Sequence, residues 1–342
     1  MQAESSANSV LVEISRGGTV ESWHRGALAI ANASGELLLA LGDIDTPIFP
    51  RSAVKAMQTI PLVESGAADA FGLDDQELAV ACGSHSGDDI HVETVRSLLA
   101  KAGLDEGQLA CGPHWPMSEK AARELIRTDR RPLPIHNNCS GKHAGMLAAA
   151  RFLGFESTGY EQPEHKLQVM IARVISDICE VELAESPMGM DGCSVPTWAL
   201  PLRALATGFA RFGSAGWLPA DRQAAAERLL RACFNAPVLV AGEGRLDTIV
   251  LGGLAPFAFS KGGAEGVHCA ALPDQGLGIA IKIDDGSKRA TDRVMSELLA
   301  VMAPPAGSIL TGQLSGAIRN WRGVQVGQIS ASAGLQAALS GL

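Results

Sequence analysis

The hydrophobic period of this chain changes twice along its length, and those changes limit the folds that the chain can adopt. Between residues 9 and 42 apolar and polar residues alternate, as in half-buried strands, and residues 32–35 have the composition of a hairpin turn. Between residues 52 and about 233 the apolar residues recur at a helical spacing. After residue 247 the strand pattern returns.

This order predicts an α+β fold, with an antiparallel sheet built from N- and C-terminal strands and a large helical middle block. We predict helices at residues 52–64, 88–102, 118–128, 140–153, 163–180, 219–234 and 287–302. We predict the later strands at residues 247–254, 256–273, 276–286 and 323–330.

Composition and charge exclude several functional classes. The 342 residues carry a net charge of −9 with scattered basic residues, so we expect no nucleic acid partner and no membrane partner. The first ten residues have no basic segment followed by an apolar one, so a cytoplasmic protein is expected. A homodimer is expected because C2 dimers are the commonest soluble oligomers.

Ser52 and Lys55 are the first candidates for catalysis. They follow Pro50, where a helix can begin, and their spacing of three places hydroxyl and amine on one helical face. A buried neutral lysine can take the proton of a serine and make it a nucleophile. Chance gives about 0.6 Ser-x-x-Lys matches at this composition, so a surface helix start explains the motif equally well.

Two later segments favour an acyl-transfer site. Residues 82–87, Cys-Gly-Ser-His-Ser-Gly, place Ser84 between glycines that let the backbone approach a ligand. Lys261-Gly262-Gly263 ends a strand-like run and resembles the Lys-Thr-Gly element of penicillin-recognising serine enzymes. The middle element of those enzymes is not matched, because His85-Ser86 stands where they have Asp-Asn.

Two cysteines in polar, Gly-rich surroundings suggest a metal. Zinc accepts thiolate, imidazole and carboxylate, so Cys139, Cys193, His136, His143 and Asp191 are eligible ligands. The alternative is that both cysteines are buried packing residues, because their spacing matches no zinc finger. The odd set of seven cysteines predicts reduced thiols.

Three further polar residues are weaker candidates. Arg51, next to Ser52, can form a forked contact with a substrate carboxylate. His24 and Arg25 in the first strands can reach the same site, although a histidine in a strand is more often structural.

Seven segments occur together in a characteristic order: VESWHRG, RSAVKAMQ, ACGSHSG, HNNCSGKHAGML, MDGCSVP, KGGAEG and ALPDQGLGIAIKIDDG. This set resembles the asparaginase II family, the Rhizobium-type or class 3 L-asparaginases, over nearly the whole chain. The resemblance implies one domain over residues 1–342, with a sheet part at about 9–45 and 245–342 and a helical part at about 50–240. It also implies a fold similar to serine β-lactamases and penicillin-binding proteins.

The resemblance further implies hydrolysis of L-asparagine to L-aspartate and ammonia. Two Ser/Lys pairs are implied, Ser52 with Lys55 and Ser84 with Lys261, and we expect Ser52 to be the nucleophile that forms a β-aspartyl ester.

The resemblance also implies a zinc ion held by Cys139, Lys142 and Cys193, with an open role in catalysis. We expect Arg51 and His143 to hold the substrate, and Asp191 and His143 to contact either the substrate or the metal ligands.

Two other functions stay open at this point. Ser-x-x-Lys and Lys-Gly-Gly alone also fit another β-lactamase-like or peptidase-like serine hydrolase. A zinc-dependent binding protein without catalysis would use Cys139 and Cys193. Ammonia release from asparagine, β-lactam hydrolysis and metal content distinguish the three.

Overall fold

The structure is a computed structural model that describes residues 8–303 and 305–342. Most of the N-terminal segment that carries the cytoplasmic expectation lies outside these residues. The strands are β1 (Val10–Arg16), β2 (Thr19–Asn32), β3 (Leu37–Leu41), β4 (Met188–Met190), β5 (Pro196–Trp198), β6 (Phe259–Gly262), β7 (Val267–Leu272), β8 (Leu277–Ile283), β9 (Ala317–Arg319) and β10 (Gln325–Ala331).

The α-helices are α1 (Lys55–Glu64), α2 (Ala67–Ala70), α3 (Asp75–Ala81), α4 (Asp89–Lys101), α5 (Glu119–Arg127), α6 (Ser140–Phe152), α7 (Lys166–Cys179), α8 (Leu202–Gly213), α9 (Ala220–Asn235), α10 (Pro237–Ala241), α11 (Leu246–Gly253), α12 (Lys288–Met302), α13 (Ala306–Ile309), α14 (Thr311–Ser315) and α15 (Ala333–Leu339). Within the described ranges, none of these helices has the length and apolar character that crossing a membrane requires.

Backbone contacts divide the chain into two compact units. The sheet unit contains the described residues up to Ala53, together with Leu200–Ser214 and Gly253–Leu342. The helical unit contains Val54–Ala199 and Ala215–Gly252.

The sheet unit is organised around one antiparallel sheet with the strand order β6-β7-β8-β2-β1-β10-β9, and β3 pairs with β2. The N-terminal strands β1 and β2 lie between strands from the C-terminal part of the chain, since β2 pairs with β8 and β1 pairs with β10. The predicted α+β fold, with one sheet shared by the two chain ends, is confirmed.

Helices cover both faces of the central strands. Gly278 of β8 faces α8, and Ala271 of β7, its partner in the register, contacts the same helix at Gly213. His268, three residues before Ala271, points to the other face, where it lies 3.9 Å from Asp292 of α12. Every residue of β7 is therefore buried, as expected for a strand covered on both sides.

The helical unit has α1 and α6 at its centre. Residues 55–62 of α1 are all buried, and so are residues 140–150 of α6. Alanine and glycine dominate the buried part of α6, so neighbouring backbones can approach it closely. The predicted helices of the middle block are confirmed as the Arg51–Val54 turn with α1, and as α4, α5, α6, α7 and α9; α12 confirms the predicted later helix.

Four local predictions were wrong or incomplete. The predicted strand at residues 256–273 is two strands, β6 and β7. Residues 247–254 form most of helix α11 and not a strand, because a short apolar run does not distinguish a buried helix from a buried strand. Residues 8–42 contain three strands where one hairpin was predicted. Helix α8 was not predicted, although it covers one face of the sheet.

Replacing Gly278 with alanine tests the contact between α8 and β8. A Cβ at this position would overlap the Ala206 carbonyl, and backbone cannot move aside cheaply. We expect Gly278→Ala to lower the free energy of unfolding by about 3 kcal/mol, measured by urea denaturation. Gly312→Ala is the control, because a Cβ there meets nothing within 4 Å and alanine favours helix α14. Equal stability of the two variants would contradict the packing described.

Candidate active site

Ser52 lies in a strained turn at the edge of the sheet unit. It belongs to a short 3-10 helix, Arg51–Val54, which continues directly into α1. Arg51 has a φ of 52°, in the left-handed region that non-glycine residues rarely occupy. Such strained residues cluster at active sites, so the backbone before Ser52 supports its candidacy.

Lys261 approaches the same segment from the sheet. Its partner across the β6–β7 pair is Cys269, so it points to the face covered by α8. A Cβ at Gly263, two residues further on, would lie 2.7 Å from the Pro50 carbonyl oxygen. Glycine at 263 thus lets the end of β6 lie directly against the turn that carries Ser52.

In the helical unit, Lys55 is fully buried at the first position of α1. Its Nζ donates to the Gly83 carbonyl at 2.7 Å, and the Asn138 carbonyl lies 3.5 Å away. Buried amines require such acceptors, because no water can replace them. The contact with Gly83 brings the Lys55 amine next to the residue that precedes Ser84.

The Ser84 loop is fixed through its backbone. The N–H of Ser84 donates to the Val240 carbonyl at 2.7 Å, and the N–H of His85 donates to the Asn138 carbonyl at 3.2 Å. These two N–H groups therefore do not serve as oxyanion donors. The His85 ring lies 2.9 Å from the Ser140 hydroxyl, and burial holds its pKa well below the usual range.

The predicted metal ligands form a buried cluster in the helical unit. Lys142 Nζ donates to Cys193 Sγ at 3.1 Å. A hydrogen bond from the Cys193 thiol, and then the positive charges of Lys55 and Lys142, hold the pKa of Cys139 well below its usual range. Burial alone would lower the pKa of Lys142, but Cys193, Cys139 and Asp191 raise it above the ordinary lysine value.

Two residues predicted to bind substrate lie beside this cluster. His143 is fully buried, and its Nδ1 lies 2.6 Å from the hydroxyl of Tyr160. Asp191 accepts the N–H of Gly192 at 2.7 Å, and its charge acts on Lys142.

Two other candidates, His24 and His136, form hydrogen bonds that stabilise the local structure. His24 bonds Asp285 at 2.6 Å and accepts from Arg289 at 3.0 Å within the sheet unit. His136 accepts the Leu133 N–H at 3.0 Å at the start of a 3-10 turn. Tyr160, the single tyrosine of the chain, was not predicted, since no motif or period connects it with His143.

The family model for L-asparaginase II matches residues 12–331. The chain belongs to the L-asparaginase II family. Membership supports an amidohydrolase and leaves the substrate open. A comparison with curated proteins finds no match.

Several solved structures show a weak similarity to this family member. A β-lactamase from Mycobacterium bovis is 16% identical with a TM-score of 0.34, over 84% of this chain and 94% of that chain. A protein named Mglu is also 16% identical with a TM-score of 0.34, over 84% of this chain and 65% of that chain. Simvastatin synthase from Aspergillus terreus is 12% identical with a TM-score of 0.33, over 84% and 91%. At these scores the expected similarity to serine β-lactamases stays a prediction.

The donor set predicted to hold zinc in this asparaginase II chain is unusual. In the described ranges, no group of three His, Cys, Asp or Glu side chains is arranged to hold a metal ion. Cys139 and Cys193 supply two sulfurs, and Lys142 adds an amine that already contacts one of them. Zinc accepts two thiolates, and Lys142 could join them only by releasing a proton that Cys193, Cys139 and Asp191 help it to retain.

Substitutions at Arg51 test the strain before Ser52 in this asparaginase II chain. Arg51→Gly and Arg51→Ala both remove the guanidinium, but only glycine adopts a φ of 52° without a Cβ clash. We expect Arg51→Gly to be more stable than Arg51→Ala by about 1 kcal/mol, measured by urea denaturation. At Arg123 in the exposed helix α5 the same pair should show the opposite order. If Arg51→Gly were less stable than Arg51→Ala, the backbone at residue 51 would not be strained.

Proposed function

We propose that this protein is an L-asparaginase that hydrolyses L-asparagine to L-aspartate and ammonia through an ester on Ser52. Family membership supports amide hydrolysis, and the surroundings of Lys55 carry the choice of mechanism. Cytoplasmic location and a homodimeric state belong to the same proposal and rest on the sequence alone.

The hydrogen-bond count at Lys55 suits a general base. A neutral amine has two N–H bonds and one lone pair. The Gly83 carbonyl and the Asn138 carbonyl stand at 2.7 Å and 3.5 Å as acceptors for the two N–H bonds. The Cys139 side chain is a third hydrogen-bond partner of Lys55, and when it releases this contact the lone pair can accept a proton from a hydroxyl. Ser52, three residues earlier in the same helical turn, has the spacing to supply that hydroxyl.

In the proposed acylation step, Ser52 Oγ attacks the side-chain amide carbon of asparagine, and Lys55 takes the hydroxyl proton. The C–N bond then breaks. Lys55 returns the proton to the departing nitrogen, which leaves as ammonia. The product of this step is a β-aspartyl ester on Ser52.

In the proposed second step, water attacks the ester carbon and gives up a proton as the bond to Ser52 Oγ breaks. Ser84 and Lys261 form the second pair, which transfers that proton and restores the Ser52 hydroxyl. Arg51 is the proposed partner of the α-carboxylate, through charge-assisted hydrogen bonds. His143 and Asp191 are proposed to contact the substrate or the metal ligands.

We propose that Cys139, Lys142 and Cys193 hold zinc. A bound zinc ion would supply a fixed positive charge and Lewis acidity beside the substrate. The chain's own contribution is the buried cluster, in which Lys142 already contacts Cys193 Sγ.

Removing one sulfur tests the metal proposal. We expect wild-type protein to bind about one zinc ion per chain and Cys193→Ser to lose most of it, since zinc prefers thiolate to hydroxyl. Cys179→Ala in α7 is the control and should keep its zinc. Metal content is measured by elemental analysis, and asparagine hydrolysis should fall without vanishing after chelation. Equal zinc content in Cys193→Ser and Cys179→Ala would show that this cluster does not hold zinc.

Trapping the acyl-enzyme tests the choice of nucleophile. Wild-type protein is quenched during turnover of L-asparagine, and mass spectrometry locates the β-aspartyl ester. We expect the ester on Ser52, its loss in Ser52→Ala, and a fall in kcat on the order of 1,000-fold or more. Ser84→Ala should retain Ser52 and accumulate the ester if the second pair acts in hydrolysis. An ester on Ser84, or β-lactam hydrolysis without ammonia release from asparagine, would refute the proposal.

A further inference from the structure

The short helix α10 carries the carbonyl that fixes the backbone of Ser84. Val240 lies in this helix, and its carbonyl accepts the N–H of Ser84 at 2.7 Å. The loop and the helix are packed closely, since a Cβ at Gly83 would lie 2.7 Å from the Leu239 carbonyl oxygen. A change in the position of α10 would therefore move the backbone of Ser84.

Helix α10 has only five residues and depends on contacts from outside itself. At its C-terminal end, the Thr248 hydroxyl of α11 donates to the Gly242 carbonyl at 2.6 Å. Near its start, Nε2 of His91 in α4 lies 2.9 Å from the Val238 carbonyl oxygen. A carbonyl oxygen only accepts, so the His91 ring donates this hydrogen bond. His91 thus connects α4 with the first turn of α10.

The hydrogen bond to Val238 is the polar contact that fixes the His91 ring. The side chain is fully buried, and its other nitrogen, Nδ1, has no hydrogen-bond partner among the described residues. The Asp88 carboxylate lies 3.8 Å from Nδ1, beyond hydrogen-bond distance. Leaving a buried donor without its acceptor is unfavourable, so the ring and the Val238 carbonyl move together.

His91 also contacts the Ser84 loop directly. Its ring is stacked on the ring of His85, with centroids 4.9 Å apart and planes 13° from parallel. His85 follows Ser84 in the chain, and its N–H donates to the Asn138 carbonyl at 3.2 Å. One buried side chain therefore contacts both the loop of Ser84 and the helix that anchors this loop.

We propose that His91 is a positioning residue for Ser84, which it holds through the Val238 carbonyl of α10. Both contacts of the His91 ring are made with residues no more than two positions from Ser84 or from its anchor Val240. A misplacement of about 1 Å can slow a reaction on the order of 100-fold, even when its cause lies away from the reacting atoms. The inference rests on the proposed function, in which Ser84 and Lys261 act in hydrolysis of the ester.

Two substitutions separate the hydrogen bond of His91 from its stacking. His91→Phe keeps a flat ring beside His85 and removes the N–H, whereas His91→Gln keeps an N–H near the Nε2 position and removes the ring. We expect His91→Phe to be impaired and His91→Gln to recover most of the loss. The reverse order would assign the effect to stacking and would overturn the inference.

The first measurement is amide hydrogen exchange of Ser84 in the full-length resting protein, followed by NMR. We expect the Ser84 N–H to exchange about tenfold faster or more in His91→Phe than in the wild type, because its acceptor is less well fixed. In His91→Gln the rate should stay close to that of the wild type. Unchanged exchange in His91→Phe would overturn the inference. No asparagine is present, so this result does not depend on the proposed reaction.

The second measurement separates the two steps of L-asparagine turnover by rapid chemical quench. Ammonia released in the first turnover reports ester formation, and decay of the ester in mass spectra reports its hydrolysis. In His91→Phe we expect ester formation within about twofold of the wild type and hydrolysis slower by about 10- to 100-fold. Leu98→Ala opens a cavity beside the same helix, so it should lower stability and leave both rates unchanged. Equal effects of His91→Phe and Leu98→Ala on hydrolysis would indicate a general loss of structure and overturn the inference.

A double-mutant cycle tests whether His91 acts through Ser84. Ser84→Ala has no hydroxyl left to position, so adding His91→Phe should slow hydrolysis of the ester little further. Equal slowing in the wild-type and Ser84→Ala backgrounds would overturn the inference.

The location of the ester distinguishes failure of the proposed reaction from failure of this inference. If the wild-type ester were on Ser84, the proposed nucleophile would be wrong, and a misplaced Ser84 would then slow ester formation in His91→Phe. Slower ester formation in that case would support the positioning of Ser84 by His91, and unchanged ester formation would overturn it.

Discussion

A buried lysine amine constrains this protein more than any other group. Lys55 is inaccessible to water, so its N–H bonds need carbonyl partners from the protein. The Gly83 carbonyl meets this need at 2.7 Å, and that contact ties the start of α1 to the loop of Ser84. The same loop is held from its other side by the Val240 carbonyl, at the end of α10. The Ser84 loop is thus held by the Lys55 amine on one side and by the Val240 carbonyl on the other.

The residues of the proposed chemistry belong to both compact units. In the sheet unit, the close approach at Gly263 sets the strand end after Lys261 against the turn that carries Ser52. In the helical unit, Lys55 contacts the residue before Ser84. Each unit therefore contains one serine and one lysine of the proposed chemistry. The chain passes from the sheet unit to the helical unit between Ala53 and Val54.

Local patterns were sufficient for most of the fold. The change of period predicted the helical block and the sheet made from both chain ends, because amphipathic helices and strands record their buried face in the sequence. The pattern failed at α11, where a short apolar run fits either structure, and at α8, whose role depends on packing over Gly278. The local hydrophobic period determines neither the helical state of α11 nor the packing of α8.

The sequence by itself determined the α+β class, the family, and the residue types available for catalysis and metal binding. Only the tertiary structure decided which of these are neighbours. His24 forms a structural hydrogen bond with Asp285. Tyr160, which belongs to no motif, forms a hydrogen bond with His143. The reason is physical: hydrogen-bond satisfaction inside a protein depends on groups far apart in the chain, so a side chain's role is set by partners that the local sequence does not contain.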